Sequence, residues 1–349
     1  GAPKEDVGKL IGNAIAANPT EVGPRLLLIE FHLNNKDVKH ATTAAQDAVA
    51  LQPDSPELVD ALGRTQQAAG EINQAIASFN KVVGMQASSA QPYMRLAGAH
   101  MAAKNLDGAA SSLKKALEIK PDLLDAQRAL IVLALEAKKT ADALAIVRTV
   151  QQQRPKEPAG YVLEGDVHAS QKNWTAAASA YRNGLKQGNF AELAIKLHTV
   201  LITAGNTADA EKFAATWLKD VPKDTAFLFY MGDGATARKD YAGAEKFYAA
   251  VLKLQANNAV AYNNLAWVSA KLNKQGAIAQ AEKANALAPN QPAFMDTLDV
   301  LLSDKGDYAK ALELQTKVLT LAPDNALFKL NMAKIHIKGG KKDLARALL

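Results

Sequence analysis

Residues 287–298 read LAPNQPAFMDTL, and residues 321–332 read LAPDNALFKLNM, which begins in register with the first stretch 34 residues later. Self-similarity at a fixed spacing of roughly 20–50 residues is the sequence signature of a repeat architecture. The marker of this repeat is a proline, or a small residue in its place, that follows an apolar helical segment. The markers are Pro19, Pro53, Ala87, Pro121, Pro155, Gly188, Pro222, Ala256, Pro289 and Pro323. Because successive markers are 33 or 34 residues apart, the sequence predicts one structural unit repeated along nearly the whole chain.

Each period contains the pattern of two helices joined by a turn. Ser55 is suited to cap a helix that has Pro56 at its first position, where a missing N–H removes no helical hydrogen bond. Gly70 ends this helix, and a second helical segment follows. The apolar residues at helical spacing are Leu58, Val59 and Leu62 in the first segment, and Ile72, Ala75, Ile76, Phe79, Val82 and Val83 in the second. The pattern predicts an all-α fold.

Small side chains recur where the two helices of a unit must approach closely. In first helices these residues are Gly63, Ala97, Gly165, Gly232 and Ala266. In second helices they are Ala41, Ala75, Ala109, Ala143, Ala177, Ala210, Ala244, Ala277 and Ala311. The recurrence indicates packing between helices and not catalysis.

These small and bulky positions resemble those of tetratricopeptide repeats over almost the whole chain. The resemblance implies an α-α superhelix, a tetratricopeptide-repeat solenoid of about nine to ten helix-turn-helix repeats. A lone helix over residues 6–18 precedes the repeats, which start near Val22, Pro56, Ala90, Leu124, Pro158, Ala191, Thr225, Ala259, Pro292 and Ala326. Since each repeat buries its apolar face on its neighbours, we expect residues 1–349 to form a single domain. A bend is expected near Gly188, where the marker proline is absent.

The last third of the chain resembles a narrower family. The stretches AYNNLAWVSAKLN, AEKANALAPNQPAFMDTL and KGDYAKALELQTKVLTLAPDN resemble the C-terminal repeats of periplasmic tetratricopeptide-repeat lipoproteins. That family is associated with exosortase (PEP-CTERM) and exopolysaccharide export systems of Gram-negative bacteria. The resemblance implies a periplasmic protein whose full-length form is anchored to the outer membrane by a lipid. The chain departs from the family at Asp299, where such segments usually carry glycine.

Asp299 occupies a position that is small and close-packed elsewhere in the array. An unpaired buried charge is very costly, so the carboxylate must find a partner or stay protonated. We expect a hydrogen bond or a cation beside Asp299, or local splaying of the unit that starts at Pro292.

Composition and charge exclude several classes of function. The chain has no cysteine, which excludes disulfides, thiol nucleophiles and cysteine metal sites. No stretch approaches the roughly 18–20 apolar residues that span a bilayer, and the first residues, GAPKED, are not a signal peptide.

The net charge of the chain is +6, and most of it lies at one end. The residues after 325 include six basic side chains and a single acidic one, Asp343, so this segment alone carries +5. A solenoid that binds phosphates would spread its cations along the groove, so we expect no nucleic-acid partner.

The sequence contains no recognisable catalytic constellation. The histidines that share one position in their repeats are His32, His100, His168 and His336. Alternate units lie on the order of 16–20 Å apart, so these histidines cannot share a metal ion, and we expect them to be half-buried packing residues. The same spacing separates Asp166 from Asp233, whereas paired catalytic carboxylates lie about 5–9.5 Å apart. We expect no enzymatic activity and no cofactor.

The tetratricopeptide resemblance implies that first helices line a concave groove, mainly through their second, fifth, ninth and twelfth positions. The predicted partner-binding residues are Met94, Met101, Arg128, Leu135, Asp166, Ile195, Ile202, Phe229, Asp233, Asn263, Asn264, Trp267, Asp296 and Asn331. An extended apolar strip with a polar rim usually marks a binding surface. The alternative is that some of these residues pack against the adjoining helix.

Asn263 and Asn264 in the stretch YNNLAW resemble the asparagines with which some tetratricopeptide domains hold a peptide backbone. An amide side chain both donates to and accepts from a main chain, and Trp267, one turn further, is suited to anchor an apolar group. We therefore predict a non-enzymatic scaffold for a protein or peptide partner, which supports exopolysaccharide biosynthesis or export. The alternatives are a cytosolic peptide-binding adaptor or co-chaperone, a solenoid that binds polysaccharide through Trp267, Asp233 and Asp296, and RNA binding.

Both ends of the sequence read as interruptions of a longer array. An apolar stripe near the front consists of Val7, Leu10, Ile11, Ala14 and Ile15, and the sequence stops at Leu349 within a second helix. Solenoids need terminal units with a polar outer face, so we expect these uncapped ends to self-associate.

Overall fold

The computed structural model describes residues 4–348, with side chains from residue 6 onward. The contacts divide the chain into two compact units, Gly1–Gly188 and Asn189–Leu349. The division falls at Gly188, the residue near which the sequence predicts a bend. The single-domain expectation stays a prediction.

All the regular structure of the described residues is α-helical. The helices of the first unit are α1 (Lys4–Ala17), α2 (Val22–Asn34), α3 (Val38–Leu51), α4 (Pro56–Ala68), α5 (Ile72–Met85), α6 (Ala90–Ala102), α7 (Leu106–Ile119), α8 (Leu124–Glu136), α9 (Thr140–Gln153), α10 (Pro158–Ser170) and α11 (Trp174–Leu185). Those of the second unit are α12 (Ala191–Thr203), α13 (Thr207–Asp220), α14 (Thr225–Ala237), α15 (Tyr241–Leu254), α16 (Ala259–Lys271), α17 (Ala277–Leu287), α18 (Pro292–Asp304), α19 (Tyr308–Leu321), α20 (Ala326–Lys338) and α21 (Lys342–Arg346). The predicted helix-turn-helix solenoid fold is confirmed within each unit.

The even-numbered helices from α2 to α20 begin at the ten residues where the sequence places the repeat starts. The lone helix α1 begins two residues before the expected residue 6 and ends one residue before the expected residue 18. Among residues 4–348, no helix is both long and apolar enough to cross a membrane.

Local backbone chemistry sets the helix boundaries. Ser55 caps α4, since its Oγ accepts a hydrogen bond from the Leu58 N–H at 3.4 Å, and Pro56 takes the first helical position. The turn inside each unit contains at least one residue with positive φ, for example Gly70 at 79° and Lys104 at 58°. Such a left-handed residue stops the first helix and returns the chain so that the second helix lies antiparallel to it.

The two helices of a unit meet through a pair of residues of complementary size. In six units, the eighth residue of the first helix packs with the residue that lies 16 positions later, in the second helix. These pairs are Ile29 and Ala45, Gly63 and Phe79, Ala97 and Leu113, Ile131 and Val147, Gly165 and Tyr181, and Gly232 and Tyr248. A Cβ atom on Gly63 would lie 2.6 Å from the Phe79 ring, and one on Gly232 would lie 2.7 Å from the Tyr248 ring. The two side chains of a pair therefore fill one space together.

The small residues predicted in second helices are buried. Ala41, Ala75, Ala109, Ala143, Ala177, Ala210, Ala244 and Ala311 have no exposed surface, and Ala277 has little. Their burial confirms that the small positions serve close helix packing.

The pair of Gly232 and Tyr248 gives a direct test of this packing. Gly232→Ala forces a Cβ into the Tyr248 ring, and we expect it to lower the free energy of unfolding by about 1–3 kcal/mol. Gly234→Ala, two residues away on α14, is the matched control. Its Cβ would meet only the flexible end of Arg238, so the gain in helix propensity should stabilise by about 0.5–1 kcal/mol. Chemical denaturation of both variants measures the difference, and equal effects would contradict the paired packing.

The unit that starts at Pro292 departs from this pattern, because its equivalent residues are Asp299 and Gln315, both fully buried. Neither carboxyl oxygen of Asp299 has a hydrogen-bond partner among the described residues, so the first of the expected alternatives, a hydrogen bond, is not found there. Burial, together with the negative charge of Asp296, raises the pKa of Asp299 to about 9. Of the outcomes that the sequence leaves open, the protonated carboxyl is the one that this environment favours.

Asp299 should make stability depend on pH. The pKa of Asp299 is about 9 in the folded chain, against 3.8 as the ordinary value of an aspartate, so unfolding releases a proton between these limits. The contribution of Asp299 to the free energy of unfolding should therefore be full below about pH 4 and be lost as pH rises toward about 9, with a slope of up to about 1.4 kcal/mol per pH unit. Asp299→Ala installs the residue found at Ala97 and Ala266 and should remove this slope. Urea unfolding of both chains across that pH range measures it, and parallel curves would refute the assignment.

The apolar residues near the two ends are partly exposed. Leu10 of α1 and Leu344 of α21 are exposed, whereas Val7, Ile11 and Ile15 are half-buried. Leu349 lies outside the described residues, and self-association through these faces stays a prediction.

Candidate binding groove

A cavity of about 300 Å³ lies between α14, α15 and α16 in the second unit. Its wall consists of Asp233, Thr236, Ala237, Tyr248, Asn263, Asn264, Trp267 and Val268. Four of the predicted groove residues, namely Asp233, Asn263, Asn264 and Trp267, thus share one concave surface.

Tyr248 positions Asp233 in the cavity wall. Because Gly232 has no side chain, the Tyr248 ring packs directly against its backbone. Oη of Tyr248 donates a hydrogen bond to Oδ1 of Asp233 at 2.7 Å. Burial is the main reason why the pKa of Tyr248 rises to about 12, and the charge of Asp233 acts in the same direction. Tyr248 therefore stays a neutral donor and holds the carboxylate in one orientation.

The two asparagines continue this hydrogen-bond chain. Nδ2 of Asn264 lies 3.5 Å from Oδ1 of Asp233, and Nδ2 of Asn263 donates to Oδ1 of Asn264 at 3.4 Å. Oδ1 of Asn263 is buried and accepts no hydrogen bond from the described residues. That oxygen is closed to solvent, so a ligand in the cavity would hydrogen-bond to the other donor and acceptor groups of the two amides.

Trp267 forms the apolar side of the cavity. Its ring contacts Tyr241 edge-on, with centroids 5.6 Å apart, and Nζ of Lys271 lies 5.1 Å from the ring centroid. These contacts fix the ring while 37% of the residue stays exposed. The cavity therefore combines an ordered aromatic surface with hydrogen-bonding groups.

The first unit contains a second copy of the aspartate–tyrosine contact. Tyr181 packs on Gly165, and its Oη donates to Oδ1 of Asp166 at 2.7 Å. Asp166 and Asp233 are thus each hydrogen-bonded to a tyrosine of their own repeat. The contact is a structural device of these two repeats.

The other predicted groove residues divide into exposed and core-packed groups. Met101, Arg128 and Ile202 are exposed, and Ile195 is half-buried. Met94 and Leu135 are half-buried against core clusters of the first unit, and Phe229 lies against the Tyr248 ring at 6.1 Å between centroids. Met94, Leu135 and Phe229 therefore pack partly against neighbouring helices, and only the rest of each side chain is free to contact a ligand.

Asp296 and Asn331 bind each other and do not line the cavity. Nδ2 of Asn331 lies 3.0 and 2.9 Å from the two carboxyl oxygens of Asp296, and Asn331 is buried. Nε2 of Gln315 donates to the same carboxyl at 3.1 Å. Burial raises the pKa of Asp296, against the effect of these hydrogen bonds. This contact connects α18, α19 and α20 within the fold.

Four wall residues were not predicted, namely Thr236, Ala237, Tyr248 and Val268. The groove residues were predicted at set positions of first helices, whereas Tyr248 belongs to a second helix. The available signal was the glycine at position 232, because a gap of that size in a first helix indicates a large facing ring 16 residues later.

Family comparisons agree with this repeat architecture. Residues 101–163 and 302–349 match one tetratricopeptide-repeat family model, and residues 61–123 match a second one. Tetratricopeptide repeats are thus recognised in these three segments. No curated protein sequence matches the chain. The narrower lipoprotein resemblance stays a prediction.

Solved structures are similar to this chain only distantly. The structure of Naa15/Naa10 bound to HypK-THB aligns over 93% of this chain and 67% of its own, with 15% identity and a TM-score of 0.39. Two crystal structures of MamA align over 46% and 48% of this chain and 94% and 93% of their own. Their identities are 20% and 19%, and both TM-scores are 0.40. Likenesses at this level carry no information about function.

The different burial of two tryptophans predicts different effects on stability. Trp267→Ala removes a partly exposed ring and should change the melting temperature little. Trp217→Ala is the control, because Trp217 is only 7% exposed and its Nε1 donates to Asp224 at 2.9 Å. We expect the control to lose about 3–5 kcal/mol in calorimetry. A similar loss for Trp267→Ala would make Trp267 a core residue.

Proposed function

We propose that this protein is a non-enzymatic scaffold and that the cavity between α14 and α16 holds an extended segment of a protein partner. The observation that carries the proposal is that the amide side chains of Asn263 and Asn264 line the cavity beside the exposed ring of Trp267. Main-chain groups of the partner hydrogen-bond to these amides, and an apolar side chain of the partner covers the ring.

The cavity chemistry favours a peptide over a small metabolite. Amide side chains bind a main chain without reading its side chains, and aromatic residues near the centre of an interface often contribute most of the binding energy. A cavity of about 300 Å³ is at the small end of ligand pockets, so it suits one anchoring side chain with its flanking main chain. The carboxylate of Asp233 favours a partner group that donates hydrogen bonds.

The proposed setting is the periplasm, with a role in exopolysaccharide biosynthesis or export and a lipid anchor on the full-length protein. Support comes from the resemblance of the stretches within residues 261–325 to the lipoprotein family. A cytosolic adaptor or co-chaperone is the alternative, which the asparagine pair favours equally. Fractionation of the native cell distinguishes the two settings. We expect the protein in the periplasmic extract, whereas the alternative expects it in the cytosolic extract.

Direct binding of polysaccharide is the second candidate, because an exposed tryptophan ring beside a carboxylate also suits a sugar. Nucleic acid is not an expected partner, since five of the six excess positive charges follow residue 325.

Site-specific photo-crosslinking in the native cell tests the proposal. A photoreactive residue at Ala237, in the cavity wall, should label one protein partner, whereas the same residue at exposed Lys246 of α15 should not. Trp267→Ala should abolish the label and weaken binding of the captured segment by about 30-fold or more, which corresponds to roughly 2 kcal/mol.

Two results of this experiment would oppose the proposal. Labelling of glycan alone from residue 237 would favour the polysaccharide candidate. Equal protein labelling from residues 237 and 246, unchanged by Trp267→Ala, would show that the cavity is not the binding site.

A further inference from the structure

Two histidines and an aspartate meet at the turn of the first repeat. His32 lies in the last turn of α2, Asp37 is the N-cap of α3, and His40 lies in the first turn of α3. Nδ1 of His32 is 3.4 Å from Oδ2 of Asp37, and Nδ1 of His40 is 2.8 Å from the same oxygen. The two imidazole rings stack with centroids 5.5 Å apart. One potential ligand atom from each residue lies within 4.8 Å of the others.

The backbone of the turn holds the three side chains together. Lys36 has a φ of 60°, and the Asp37 N–H donates to the His32 carbonyl at 2.9 Å, which closes the end of α2. Oδ1 of Asp37 in turn accepts from the His40 N–H at 3.3 Å and caps α3. The arrangement is therefore set by two helix ends, which makes it preorganised.

Other repeats contain the same turn without the same side chains. At 68 and 136 residues further along the chain, His100 and His168 are followed by the caps Asn105 and Asn173. Asn105 accepts from the Gly108 N–H at 2.9 Å, so asparagine alone is sufficient for the cap. An aspartate cap is ordinary in this chain, because Asp240 and Asp307 cap the equivalent helices α15 and α19. The first repeat is distinguished by His40, which stands where the repeats of His100 and His168 have Gly108 and Ala176. Helix capping does not require this histidine, which adds a second imidazole to His32 and Asp37.

We propose that His32, Asp37 and His40 bind a divalent transition-metal ion of the zinc type. Imidazole nitrogen and carboxylate oxygen are the ligands that such ions take, and one carboxylate with two neutral imidazoles leaves the site with one negative charge. Coordination through Nδ1 requires the imidazole tautomer that carries its proton on Nε2, so the proton of an Nδ1–H that donates to Asp37 moves through solvent to Nε2. Side-chain exposures of 22%, 40% and 67% let the ion enter from solvent and leave a fourth position for water.

The bound ion connects α2 to α3 across their turn. Because an unfolded chain does not hold the three ligands together, an ion at this site stabilises the first repeat. The melting temperature should therefore rise with zinc concentration.

Calorimetric titration of zinc chloride into the tag-free full chain tests the proposal. The key variant combines Asp37→Asn with His40→Gly, which copies the cap that Asn105 and Gly108 already form in this chain. We expect one ion per wild-type chain, a loss of affinity of at least about tenfold in the double variant, and no change in His100→Ala. Cobalt absorption should report the same site in the visible range.

Three outcomes would overturn the proposal. They are the absence of zinc binding to the wild-type chain, equal affinity in the double variant, and an equal loss in His100→Ala, which would indicate non-specific binding to surface histidines. Circular dichroism checks that the double variant is folded. If it is not, His40→Ala alone, which changes an exposed side chain, should give the same loss of affinity.

Discussion

The contact between the eighth residue of a first helix and its facing residue in the second helix determines how closely the two helices approach. The combined volume of the two side chains is constrained, but which of the two is the larger differs from repeat to repeat. In one repeat the large residue is Ile29 and the small one Ala45, whereas in the next repeat the small residue is Gly63 and the large one Phe79. A close-packed interior tolerates neither a gap nor an overlap at this point. Each repeat therefore remains similar in backbone while its side chains vary.

The candidate site depends on a repeat in which the first-helix residue of this pair is the small one and the second-helix residue is large. Because position 232 is glycine, a tyrosine occupies the space, and its hydroxyl reaches the surface of α14 next to Asp233. The carboxylate orients Asn264, and Asn264 orients Asn263. At Asp299 the same position holds a buried acid, and the burial raises its pKa instead of creating a cavity wall. One packing position thus gives a binding surface in one repeat and a titrating group in another.

Much of this architecture could be predicted from the sequence, because a fixed period determines where helices start and which positions are small. Counting positions along first helices also located Asp233, Asn263 and Trp267. Counting could not find Tyr248, because this residue belongs to the second helix. Its ring reaches the cavity over Gly232, and that contact is known only from the three-dimensional packing. Counting positions also predicts which face of a helix a side chain lies on but not how far it is buried. Met94 and Leu135 were therefore predicted to lie on the groove surface, although core clusters cover part of them. His40 was missed because it departs from the repeat pattern.

The cavity beside Trp267 is proposed to hold a partner's main chain through the amides of Asn263 and Asn264. A crystal structure of this chain with its captured partner tests this proposal most directly. We expect a partner main-chain N–H or C=O at about 3 Å from an amide group of Asn263 or Asn264, with an apolar partner side chain on the Trp267 ring. A partner bound elsewhere on the chain, with the cavity empty of protein, would contradict it.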